Sequence, residues 1–156
     1  MPLPPAQRGM YFEEFTPGQK VRTVARTVTE ADIVAFAGTS GDFNQIHTDA
    51  TLAAATPYGQ RIAHGLLVLS IASGLAVQTG IMEGTIIAFR EIKEWKFVGP
   101  VFIGDTVHAE IEVLETKAIP RLGGGLITLQ FDVRNQDDKT VQKGVWVALM
   151  AGRKEP

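Results

Sequence analysis

A carboxylate and an imidazole stand five residues apart in the string Gly41-Asp42-Phe43-Asn44-Gln45-Ile46-His47. On a straight helix, groups at i and i+5 diverge by roughly 140°. The glycine and asparagine argue instead for irregular backbone, on which Asp42 and His47 can converge. Converged, they make a dyad able to position a water and move protons. The plainer alternative is an Asx-turn aspartate and a surface histidine in a connecting loop, and spacing alone favours it. Asn44 is suited to hold this segment through hydrogen bonds to backbone.

A second group of candidates follows in Ile62-Ala63-His64-Gly65, which leads into an apolar run from Leu66 to Val77. His64 is a second acid–base candidate or a residue that caps or packs the start of a helix, and the structural role is the weightier. Gly65 opens that helix. A helix N-terminus carries free N–H groups and about half a positive charge, and a residue without a side chain lets a ligand oxygen approach them. Close packing accounts for a glycine there equally well. The chain has three histidines, no cysteine and no His-x-x-x-His spacing, so no metal site is expected. A nucleophile elbow, a phosphate loop and a dinucleotide fingerprint are all missing from the sequence. His108 falls on the polar side of an alternating strand and is given no role.

Composition bounds the class. The 156 residues suit one domain with a real core: a lead-in over 1–9, a single domain over 10–152 and a tail over 153–156. Apolar residues at 45% and charged residues at 21% match a soluble globular protein. A net charge of −2 gives no general attraction to nucleic acid or an anionic membrane. The Pro-rich start is not read as a signal peptide, and the longest apolar run falls short of the about 20 residues a bilayer requires. A cytoplasmic protein is the expectation, and a cysteine-free chain suits a reducing compartment.

The elements that must position these groups have two grammars. The first half reads as a strand over Lys20–Val28, then a helix capped by Thr29 and stopped by Gly38 and Gly41. A short helix over Asp49–Ala55 and the apolar helix from Gly65 follow. That last helix has almost no polar face and must be surrounded by protein. From about Thr85 the pattern becomes long alternating strands, among them Val107–Val113, Ile127–Val133 and Val141–Met150, with hairpins at Gly123–Gly125 and Gln136–Lys139. The fold class is α+β: a long antiparallel sheet around one buried helix. A single sheet cannot cover such a helix on every side and leaves open edges, so a homodimer or higher homo-oligomer is expected.

The heptapeptide resembles the Gly-Asp-x-Asn-Pro-hydrophobic-His motif of the MaoC-like, (R)-specific enoyl-CoA hydratases. Tyr58-Gly59-Gln60-Arg61-Ile62-Ala63-His64-Gly65-Leu66-Leu67 is similar to the stretch entering that family's central helix. Tyr11–Gly18 and Val98–Asp105 match its style, so the likeness runs from about residue 10 to residue 150. The resemblance implies a hotdog fold and reversible hydration of a trans-2-enoyl-CoA to a (3R)-3-hydroxyacyl-CoA. The thioester of coenzyme A, or of acyl carrier protein, is then the substrate, and no cofactor is implied. By the motif, Asp42 and His47 hold the water and the Gly65 N–H binds the thioester oxygen; Asn44, which orients the segment, and His64 are expected with Gly65 at the substrate. Gln45 departs from the pattern, standing where the family has proline. It restores an N–H and some backbone freedom while removing no reacting group.

Two other readings compete. A hotdog thioesterase directs water at the thioester carbon, which the Gly-Asp-x-Asn-x-x-His pattern argues against. A non-catalytic acyl-thioester-binding subunit of a heterodimer lacks the dyad, whereas Asp42 and His47 are both present here.

Overall fold

The structure is a computed structural model that describes residues 9–153; the expected lead-in and tail fall largely outside the described residues. After a single 3₁₀ turn (Phe12–Glu14) come β1 (Lys20–Arg22), β2 (Arg26–Thr27), α1 (Glu30–Ser40), α2 (Gln45–Thr48), α3 (Ala50–Ala54) and α4 (Gly65–Gln78). The long strands β3 (Ile86–Phe97), β4 (Thr106–Ile119), β5 (Gly124–Arg134) and β6 (Thr140–Ala151) follow. They form one antiparallel sheet in the order β1-β4-β5-β6-β3, with β2 also on β4. The α+β architecture expected from patterning is therefore present.

Alternation on β5 decides where the core sits. Ile127, Leu129, Phe131 and Val133 are at most 1% exposed and belong to one cluster with Leu67, Val68, Ile71, Ala72, Leu75 and Ala76 of α4. Each large aliphatic side chain buried this way contributes about 1.5–3 kcal/mol. The sheet does not enclose α4 fully. Leu66 and Val77 are more than half exposed, and Ser70 and Gly74 lie open on the same stripe. The expectation of a helix surrounded by protein is thus unmet within one chain, because one sheet face covers only part of a helical cylinder.

Three other expectations are corrected. The strand expected over Lys20–Val28 is split. Three residues lie between Arg22 and Arg26 while two lie between their partners Glu110 and Val107, so one extra residue bulges out between β1 and β2. Thr23 bridges the gap: its N–H donates to the Ala109 carbonyl and its hydroxyl accepts the Ala109 N–H. The β4–β5 connection is a 3₁₀ turn, Pro120–Leu122, closed by Gly123 at φ 71°, whereas Gly124 and Gly125 already pair within the ladder. His108, expected on the wet face of β4, is 5% exposed, lying opposite Arg134 with its Nε2 3.5 Å from Glu110 Oε1.

Strand β3 forms one edge of the sheet, paired only with β6, and carries exposed Ile86, Ile87, Phe89, Ile92 and Phe97. Among the described residues no helix is long and apolar enough to cross a membrane.

Candidate active site

Helix α1 delivers the first functional group. Thr29 caps it in a box with Asp32, and the helix runs through Gly38 to a stop at Gly41, whose φ of 77° is the left-handed conformation of a helix C-cap. The turn that follows is held by side chains. The Asp42 N–H donates to Ser40 Oγ, the Asn44 N–H to Asp42 Oδ1 at 3.1 Å, and the Ile46 N–H to Asn44 Oδ1 at 3.2 Å. Asn44 therefore caps α2, a four-residue helix that the sequence reading did not foresee, and His47 sits on that helix rather than on irregular backbone.

The turn reading of Asp42 is correct as far as it goes, yet it does not exclude the dyad. The Asp42 carboxylate and a ring nitrogen each of His47 and His64 all lie within 4.8 Å of one another. His47 is half-buried and its Nδ1 is 2.7 Å from the Ile62 carbonyl. A carbonyl oxygen only accepts, so Nδ1 carries a hydrogen, and in the neutral tautomer the lone pair is on Nε2.

His64 is 2% exposed and does not cap α4 with its side chain. Its Nε2 donates instead to the Asp42 carbonyl at 2.9 Å, and its ring stacks on His47 with centroids 3.9 Å apart and tilts against Phe36. Its Nδ1 is buried without a hydrogen-bond partner. Two of the four imidazole nitrogens are thus engaged with carbonyls. The other two belong to rings whose planes stand 29° apart.

A cavity of about 620 Å³ opens at this cluster, within the usual range for small-molecule sites. His47 and Gly65 line it together with Tyr58, Leu66, Phe97 and Gln142. Asp42, Asn44 and His64 are not among its lining residues; Asp42 stands beside it through its approach to His47. Gly65 is the first residue of α4, and an ideal Cβ built on it lies 2.7 Å from Phe97 Cδ1. Close packing is therefore a real reason for this glycine, while its N–H, in the first turn, has no intrahelical acceptor.

Gln142, Trp95 and Phe97 were not singled out in the sequence. Gln142 is 2% exposed and bonded to both Trp95 and Gly65. A signal for it existed: Gln142 falls in period two with buried Gly144, Trp146 and Ala148 on β6, a polar residue on a buried face.

A model of the MaoC-like domain matches residues 12–131. The chain is 42% identical over 101 residues to protein MaoC of Klebsiella aerogenes, a match covering 65% of this chain but only 30% of that protein's length. It is 41% identical over 96 residues to an (R)-specific enoyl-CoA hydratase of Aeromonas caviae, covering 62% of this chain and 69% of that one. A solved structure described as a monoamine oxidase regulatory protein, from Archaeoglobus fulgidus, superposes with a TM-score of 0.87 at 39% identity, covering 94% of this chain and 97% of its own. The sheet and its helix are those of the hotdog fold. The chain belongs to the MaoC-like dehydratase family.

Proposed function

We propose that this chain catalyses the reversible hydration of a trans-2-enoyl-CoA to a (3R)-3-hydroxyacyl-CoA. The observation that carries the reading is the convergence of Asp42 and His47, within 4.8 Å, beside a cavity whose wall includes the first residue of α4. Water held by the pair loses one proton to it as the oxygen adds to C3. The electrons of the double bond move onto the thioester oxygen, where the Gly65 N–H meets the developing enolate charge. The pair then returns one proton to the α-carbon, so the site ends as it began. The two groups titrate as a unit, and neither step is assigned to one of them alone.

Magnitudes support dividing the work in this way. Positioned acid–base groups contribute about 10²–10⁴-fold and one oxyanion donor about 10²–10³-fold. Asn44 serves the dyad by capping α2, and His64 by holding it from behind the cavity wall.

The same reading includes pairing with a second copy. The exposed apolar residues of β3 and the open stripe on α4 are the surfaces it would cover. An unpaired, apolar strand edge invites another strand.

The test uses crotonyl-CoA, following the enoyl-thioester absorbance alongside release of free thiol. Loss of absorbance without thiol is the expected result. Thiol release at the same rate replaces hydration with thioester hydrolysis, and no reaction with any enoyl thioester makes the chain a binding subunit.

A further inference from the structure

Gln142 sits on β6 at 2% exposure and lines the same cavity as His47 and Gly65. A buried amide must find partners at both ends. Here the Trp95 indole N–H donates to Gln142 Oε1 at 3.1 Å, and Gln142 Nε2 donates to the Gly65 carbonyl at 2.8 Å. Chemistry fixes the direction of this path. An indole N–H only donates and a carbonyl only accepts, so a flipped amide would present the wrong group to both. The path crosses from β3 through β6 to the first residue of α4.

Gly65 requires such an anchor. It lacks a side chain and has more backbone freedom than any other residue type. Its carbonyl shares one rigid peptide plane with the Leu66 N–H. Holding that plane sets ψ at Gly65 and so relates it to the peptide carrying the Gly65 N–H. Phe97 closes the remaining side, with ring atoms 2.7 and 2.8 Å from where a Cβ would stand. An N–H stabilises an oxyanion only when aimed at where the charge develops.

We infer that Gln142, held by Trp95, is a positioning residue for the reaction, fixing the Gly65 peptide so that its N–H meets the thioester oxygen. The inference rests on the hydratase reading above. Gln142 moves no proton and forms no bond with substrate; it acts through Gly65.

The test is steady-state kinetics with crotonyl-CoA on the full chain, with thermal midpoints measured alongside. Gln142→Met keeps length and volume but removes the donor. Its kcat is expected to fall about tenfold with KM within about twofold, because the lost aim matters most where charge develops. Gln142→Glu restores a donor only while the introduced carboxyl is protonated, and burial favours that form. Its kcat relative to wild type is therefore expected to rise as the pH is lowered from about 8 to about 5. Tyr58 and His47 are the titratable residues lining the cavity, and dividing by the wild-type rate at each pH removes their shared contribution. Trp95→Phe releases Gln142 Oε1 and gives a smaller loss in kcat.

Wild-type kcat in Gln142→Met, or a Gln142→Glu profile parallel to wild type, overturns the inference. If Gln142→Met does not fold, Gln142→Glu and Trp95→Phe decide it. A wild-type chain that hydrates no enoyl thioester removes the hydratase reading and this inference together. An active wild type with an unchanged Gln142→Met removes this inference alone.

Discussion

The imidazole rings of His47 and His64 stack with centroids 3.9 Å apart and planes 29° apart. His64 also donates to the Asp42 carbonyl, so one buried ring touches the side chain of one dyad member and the backbone of the other. It immediately precedes Gly65 and therefore links the Asp42–His47 pair to the entry of α4.

His64→Leu removes the hydrogen bond and the aromatic stack while keeping the site apolar. The lost hydrogen bond lowers stability by about 1 kcal/mol. Displacing the dyad lowers kcat by about 10–100-fold, since a shift on the order of 1 Å is enough for that. Kinetics per folded molecule, with the folded fraction set by circular dichroism, is the check. A normal kcat in the folded fraction would reduce His64 to a packing residue.

Asp42→Asn and His47→Gln probe the pair directly. Asparagine at 42 still offers an oxygen to the Asn44 N–H, so the turn survives. Each variant is expected to lose about 10²–10⁴-fold in kcat, with little change in thermal midpoint for Asp42→Asn, where the residue is exposed, and a modest fall for His47→Gln, which gives up the stack on His64. Near-wild-type hydration of crotonyl-CoA by either variant would end the dyad mechanism.

The sheet and α4 were legible because their patterns repeat: period two along β5, and an apolar run from Leu66 to Val77 broken only at Ser70, Ser73 and Gly74. Asp42 and His47 were legible because the motif brings them together within a few residues. What stayed hidden arises between distant elements. The one-turn helix α2 has too few residues for a period and exists through the Asn44 cap and the His47 bond to Ile62. The bulge at Thr23–Ala25 is visible only against the register of β4. His64 and Gln142 acquire partners across 22 and 77 positions of sequence, where local spacing is silent.

Gly65 and Phe97 are expected to be energetically coupled. Alanine at 65 drives a methyl group into the Phe97 ring, an overpacking that costs about 1–3 kcal/mol. Phe97→Leu makes room for it, so the double variant recovers most of that stability. A double-mutant cycle from chemical denaturation measures the coupling, expected at about 0.5–3 kcal/mol for residues in contact. Additive effects would mean that the ring swings clear and that packing is no reason for the glycine.

The cap of α1 makes the delivery of Asp42 sensitive to acid. Burial by itself would raise the Asp32 carboxyl. The Thr29 N–H at 2.8 Å, the Arg26 guanidinium and the Thr29 hydroxyl outweigh that and hold it below the usual carboxylate range. A carboxylate depressed in the folded state binds its proton more readily when unfolded. Its stabilisation is therefore present above the unfolded value, about 3.9, and is lost as the pH falls from there through the folded value. Asp32→Asn should lower stability at pH 7 by about 1 kcal/mol, the usual magnitude for a lost cap interaction. The difference from wild type should shrink steadily as the pH drops below about 4, where the wild-type carboxyl also becomes neutral. Urea denaturation of both proteins at neutral and acid pH measures this. A difference that stays constant across that range would show that Asp32 holds the helix by shape rather than by charge. The result bears on the site because α1 is the lever arm ending at Gly41, and fraying at Thr29 loosens the helix that presents Asp42 to His47.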